Sequence, residues 1–230
     1  MVLRMMDRLG IRTFRNAGVV WCLFLLSLPV LLGTVDRMTG MPAQVAADDW
    51  VNLRYQAHPV ITALHLLPGF VMLILGPLQI SEPLRRRSPG LHRWSGRVFV
   101  GAGAVSGLGV LWMVFAFPAL GGALTQAVTC LLVTGMIASM TISVRAARRR
   151  RFRDHRAYMM RAYAVALSVS TARIFIEAAD FAFDVPFEDS FVLASGLGVV
   201  VNLLVTEVAL WRGANHAGPS AQPRQVTPNL

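Results

Sequence analysis

The residues of this chain equipped for chemistry are ionisable and amide side chains set inside long apolar stretches. Four of them, His65, Gln126, Arg173 and Glu177, lie at similar distances from the ends of their stretches. An ionisable group costs about 2.5–3.5 kcal/mol to insert at the centre of a bilayer on translocon scales, so each asks for a partner or a role. At 1.5 Å per residue, His65 lies ~9 Å below the start of its stretch and Arg173 ~10 Å from Asp180, where its own stretch ends. Gln126 shares that depth, and Glu177 is one turn shallower. Together the four can line a polar pocket for a small anionic or quinone-like ligand. The plainer alternative is that Arg173 and Glu177, at i and i+4, neutralise one another on a single helix face.

A second group gathers at the opposite ends of the stretches: Gln79, His92, Arg97, His155, Arg161 and Glu207. Two histidines at one depth are a candidate axial pair for six-coordinate haem, with Arg97 and Arg161 placed to hold propionates. His65 cannot join them, because Gln79 is ~21 Å further along the same stretch. Glu207, ~7 Å from Arg212, has Arg97 or Arg161 as its natural partner and, like Gln79, reads as a structural contact. Histidine, arginine and tryptophan at the ends of membrane spans also ordinarily meet lipid headgroups. No metal-ligand spacing and no serine or cysteine hydrolase constellation is present. Cys22 and Cys130 fall inside apolar stretches as packing residues.

The elements that must position these groups are membrane helices. The 230 residues are 55% hydrophobic and 15% charged, against about a quarter charged in a soluble domain. All 22 basic residues are arginine, and the formal charge is +10. Nucleic-acid binding is excluded as the source of that charge, because the arginines cluster in short loops between apolar runs. The fold expected is an all-α bundle of six transmembrane spans, at about 17–35, 59–80, 97–117, 120–144, 157–179 and 190–211. A basic tail (1–16) precedes it and a disordered tail (212–230) follows. Trp50 is a candidate interfacial anchor, Pro118 to Gly122 a tight turn, and Pro68-Gly69 a kink in the second span. Gly101, Gly103, Gly107 and Gly109 suit close helix contact. The first run is too long for a signal peptide. Arginine fills the tail and the second-to-third and fourth-to-fifth loops, which puts both termini in the cytoplasm of a bacterial inner membrane. Anionic headgroups are then the partners of the arginine loops.

The two basic loops echo each other. Arg85-Arg86-Arg87 before His92-Arg93-Trp94 and Arg97 parallels Arg148 to Arg151 before His155-Arg156, Tyr158 and Arg161, as either a parallel duplication or a chance likeness of arginine-rich loops would produce. At these residues the sequence resembles a bacterial family of predicted membrane proteins, domain of unknown function 2306. The resemblance rests on His65 with Gly69, Gly76-Pro77-Leu78-Gln79, Leu91-His92-Arg93-Trp94-x-Gly96-Arg97, and His155-Arg156-x-x-Met159-x-Arg161-x-Tyr163. It covers about residues 60–180, with Tyr158-Met159 standing where a tryptophan beside the methionine is expected. It implies an architecture and no established activity.

Three functions therefore stand open: a redox protein holding haem between His92 and His155, a ligand-binding or transport protein using the pocket around His65, and an assembly or scaffold protein without chemistry. The residues do not decide whether the protein is an enzyme.

Overall fold

The computed structural model describes residues 11–40, 50–117 and 121–216, with side chains from 18–39, 52–117 and 121–212. The described chain is helical throughout: α1 (Ile11–Gly40), α2 (Trp50–Ala57), α3 (Pro59–Ile80), α4 (Glu82–Arg87), α5 (Pro89–Ala116), α6 (Gly122–Arg148), α7 (Phe152–Phe183) and α8 (Phe187–His216). Six of these are long and apolar enough to cross a bilayer. The far ends of both tails, residues 118–120 of the expected turn and the Trp50 side chain lie outside the described residues.

Apart from α3, which covers the expected 59–80, the membrane helices begin earlier or end later than apolarity alone indicates. Proline at the first turn opens α3 and α5, where its missing N–H would be unpaired in any case. In α5 that start takes in His92, Trp94 and Arg97, so the polar motif residues are helical and not in a loop. Between α6 and α7 the chain reverses over a Schellman turn. Arg151 N–H donates to Ala146 O and Arg150 N–H to Ala147 O, with Arg150 in the left-handed region at φ 58°.

Each long helix packs chiefly on its antiparallel neighbours: α3 on α5, α6 on α7, α7 on α8, with α1 against α3 and α7. The fifth span, α7, is the axis of the bundle: half of its apolar window is buried, against 17% for the first and last spans. Its Tyr163 stands in a core of Leu31, Met72, Leu73, Phe99 and Met140. The rings of Phe99 and Tyr163 meet edge-to-face with centroids 6.1 Å apart. Outward, the bundle presents Leu124, Leu131, Phe115 and Phe181 bare. In water that surface would be an aggregation liability; against lipid tails it is the expected exterior.

Missing side chains set the helix spacing. A Cβ on Gly76 would enter the Tyr163 ring. One on Gly103 would come within 2.9 Å of both Met72 Sδ and Met140 Sδ, and one on Gly109 within 3.0 Å of the His65 backbone nitrogen. Gly101, grouped with these by spacing, instead faces open space. Small-residue spacing brought three of the four expected glycines into contact, as close helix crossings require.

Candidate functional site

The bundle has an arginine-rich end, where α3 meets α5 through α4 and α6 meets α7, and an opposite end where α2 lies. Polar side chains gather at both.

At the α2 end, His65 of α3 and Ser106 of α5 hold each other by reciprocal bonds. Ser106 Oγ donates to His65 O (2.9 Å) and lies 3.0 Å from His65 Nδ1, which is also 3.2 Å from Ser106 O. The hydroxyl has a single hydrogen, and it goes to a carbonyl; the second carbonyl can only accept. The hydrogen shared with the ring is therefore on Nδ1, which leaves Nε2 as the nitrogen available to anything else. Gly109 and Gly69 make the approach possible, since a Cβ on Gly69 would lie 3.0 Å from Ser106 Oγ.

His65 lines a cavity of about 200 Å³ together with Gln126, Arg54, Tyr55, Phe117 and Phe191. Gln126 Nε2 donates to Val114 O at 2.8 Å, which fixes the side chain and ties α6 to α5. Aromatic contacts hold two of the lining rings: Tyr55 meets Phe117 edge-on at 5.7 Å, and His58 packs on the Phe117 ring at 5.1 Å. Helix α2 is tethered in place by Thr62 Oγ1 donating to Tyr55 O, Arg37 Nε donating to Asn52 Oδ1, and the Arg37 guanidinium 4.2 Å from the Tyr55 ring centre.

Of the four residues expected here, the structure unites His65 and Gln126 and leaves Arg173 and Glu177 out. Helix α7 buries Ala172 and Ile176, and the next residue in each case is turned about 100° round the helix. Arg173 accordingly lies over the Phe187 ring, 6.0 Å from its centre, and Glu177 is exposed. No ion pair joins them among the described residues. Reading depth alone placed them in the pocket; helix rotation removes them. Arg54, Tyr55, Phe117 and Phe191 carry no depth or spacing signal in the sequence: the first two lie between apolar runs and the last two at the ends of runs.

The arginine-rich end repeats the histidine–serine exchange. Ser143 Oγ donates to His155 O (2.9 Å) and lies 2.8 Å from His155 Nδ1, which is 3.1 Å from Ser143 O. By the same bookkeeping of hydrogens, His155 also keeps Nε2 free. His92 is within electrostatic range of His155, Arg85 and Arg93, and its Nδ1 is buried with no hydrogen-bond partner. Gln79 is used structurally: Nε2 donates to Ser95 Oγ at 2.7 Å, and Ser95 passes its own hydrogen to Leu91 O. Gly96 leaves room for that contact, since a Cβ there would lie 3.0 Å from Gln79 Oε1.

Arg161 does not face the two histidines as a free cation. It makes a bidentate pair with Glu207, Nε to Oε1 at 2.6 Å and Nη2 to Oε2 at 2.8 Å, joining α7 to α8. Glu82 and Asp154 are likewise taken by Arg86 and Arg151. Every described acid at this end is thus neutralised, and the surplus arginine sets the charge of the surface.

The sequence profile of a family described as "Predicted membrane protein (DUF2306)" matches residues 62–210, well over half of the chain. The chain belongs to that family. The matched stretch runs from Thr62 in α3 to Leu210 in α8, so it holds both histidine–serine exchanges and the Arg161–Glu207 pair. Arg54 and Tyr55, which also line the cavity, precede it. No match was found among curated proteins or among solved structures.

Proposed function

We propose that this DUF2306 protein binds a small ring-shaped, quinone-like molecule in the cavity beside His65. The observation that carries the reading is the cavity's lining: two fixed polar side chains, His65 and Gln126, among the rings of Tyr55, Phe117 and Phe191. A few oriented polar groups in an apolar concavity are the usual make-up of a small-molecule site. Size narrows the class. Sites for drug-sized ligands run to about 300–1,000 Å³, while an apolar cavity of ~150 Å³ accommodates benzene. About 200 Å³ therefore takes one ring, and a longer tail would extend beyond the lined space.

The excess of arginine at the opposite end supports a cytoplasmic placement of that end in a bacterial inner membrane, against anionic headgroups, so that the cavity opens away from the cytoplasm. A reporter fused behind Leu230 and active only in the cytoplasm checks the orientation. For the site itself, single-ring quinones and phenols should raise the thermal midpoint of the purified protein. A ligand at 100 times its Kd contributes about 2.7 kcal/mol. Thr129→Phe, which fills the cavity, should abolish the shift. No shift with any ring compound would overturn the reading.

One observation favours a second reading. His155 is oriented with Nε2 free, and His92 beside it has a buried Nδ1 lacking a partner. Those are two nitrogens suited to ligate haem iron. The fit is partial, because Arg161 is committed to Glu207 and only Arg97 is left for a propionate. The same preparation tests it: a Soret band lost in His92→Ala and in His155→Ala is expected. A colourless preparation from haem-replete cells would sink the idea.

A further inference from the structure

We infer that the ring taken into the cavity is hydroxylated, a phenol or hydroquinone whose O–H donates to Nε2 of His65. The inference rests on the reading of the cavity as a ligand site and adds the chemistry by which that site chooses.

The hydrogen-bond inventory around His65 carries it. Ser106 gives its one hydroxyl hydrogen to His65 O, and Ser106 O can only accept, so the imidazole hydrogen is fixed on Nδ1 between two oxygens. A ring with its single hydrogen on Nδ1 has a lone pair at Nε2. The cavity therefore offers an acceptor at this wall, and an occupant must bring a donor to it. A carboxylate, an ether or a quinone carbonyl brings only lone pairs to that nitrogen and must turn to another wall of the cavity, at the loss of this bond. A phenolic hydroxyl brings the hydrogen and retains lone pairs for a donor. Donors are at hand: Thr125 and Thr129 also line the cavity.

The arrangement is built into the backbone. Ser106 and His65 exchange bonds with each other's main chains, so neither ring flip nor hydroxyl rotation is free. The helices approach this closely only because Gly109 and Gly69 lack side chains. His155 and Ser143 reproduce every contact of the set at the other end of the bundle. That repetition makes the Nδ1–H form a property of the motif and not of one rotamer.

The test compares three rings of similar size: phenol, anisole and benzoate. Binding is measured on the purified full chain in lipid nanodiscs at about pH 8, above the ordinary histidine range, so that the ring carries one hydrogen. Phenol should bind about tenfold more tightly than anisole, the worth of one neutral hydrogen bond, and benzoate most weakly. In the double variant His65→Phe, Ser106→Ala the ring shape is kept and no hydroxyl is orphaned; phenol and anisole should then bind alike. Equal binding of phenol and anisole to the unaltered protein would overturn the inference and leave the cavity as a ligand site. A preference that survives in the double variant would overturn it too. Failure of all three rings to bind would remove the ligand reading with it.

Discussion

Substituting Gly76 by alanine should lower the stability of the bundle by about 3 kcal/mol, at the upper end of the usual cost of overpacking. The added methyl group would enter the ring of Tyr163. That ring cannot retreat, being held between Phe99 and the core residues Met72, Leu73 and Met140, with its hydroxyl donating to Leu73 O at 3.4 Å. Tyr163→Ala alone should cost about 3–5 kcal/mol as a large-to-small change in a packed core. The double variant should be less destabilised than the sum, because the cavity left by the ring admits the new methyl group. Thermal midpoints of the three purified variants measure the coupling. Strict additivity would mean that Gly76 and Tyr163 do not share this contact. The result matters for function because Gly76 and Tyr163 are both motif residues of the family resemblance, 87 positions apart in sequence. Their pairing gives them a structural task, and it argues against seeking a reactive tyrosine there.

Arg161→Met should cost up to about 3 kcal/mol, through the carboxylate it abandons. The pair is about a third to a half exposed, with side-chain accessibilities of 35% for Arg161 and 49% for Glu207. In water such a pair would be worth only about 0–1 kcal/mol. Here the exposed side adjoins Leu204, Val205 and Val208, all outward-facing on α8. Lipid supplies no hydrogen bonds, so the bidentate contact is the partner available to both charges at that depth. Three variants separate the explanations. The single change should lower both thermal midpoint and abundance in the membrane. The swap Arg161→Glu with Glu207→Arg should recover most of the loss. Replacing both, as Arg161→Met with Glu207→Leu, should be close to neutral, because an ion pair shielded from water and an apolar pair of similar volume often balance. An Arg161→Met protein as stable as the parent would show that the pair holds nothing together.

These two contacts also explain why the family motifs read ambiguously. Gln79, Ser95 and Gly96 form one joint between α3 and α5, and the motif position left open between Trp94 and Gly96 proves to be the buried one, Ser95. Trp94 and Arg97, the most conspicuous residues of the same motif, point outward. Chemical conspicuousness in the sequence therefore marked the surface, while the small residues beside it marked the packing. The serines that fix His65 and His155 were hidden for the same reason. A serine in a glycine-rich run, as Ser106, or in an apolar one, as Ser143, looks like spacing until the facing helix shows what it touches.

By itself the sequence determined that this is a chain of six apolar helices with arginine at the turns. Apolar length and loop charge are local, additive quantities, and the cost of inserting a polar residue in lipid leaves few alternatives. It also set the depth of each polar group, because rise per residue is constant along a helix. It could not set rotation. Two residues at one depth meet only if their helices face each other, and that is decided by which glycines let which helices approach. Tertiary structure alone therefore brought Gln126 to His65, turned Arg173 and Glu177 away, and chose Arg161 over Arg97 for Glu207. It alone assigned the hydrogen of His65 and of His155 to Nδ1, since that assignment needs a serine 41 residues away in one case and 12 in the other.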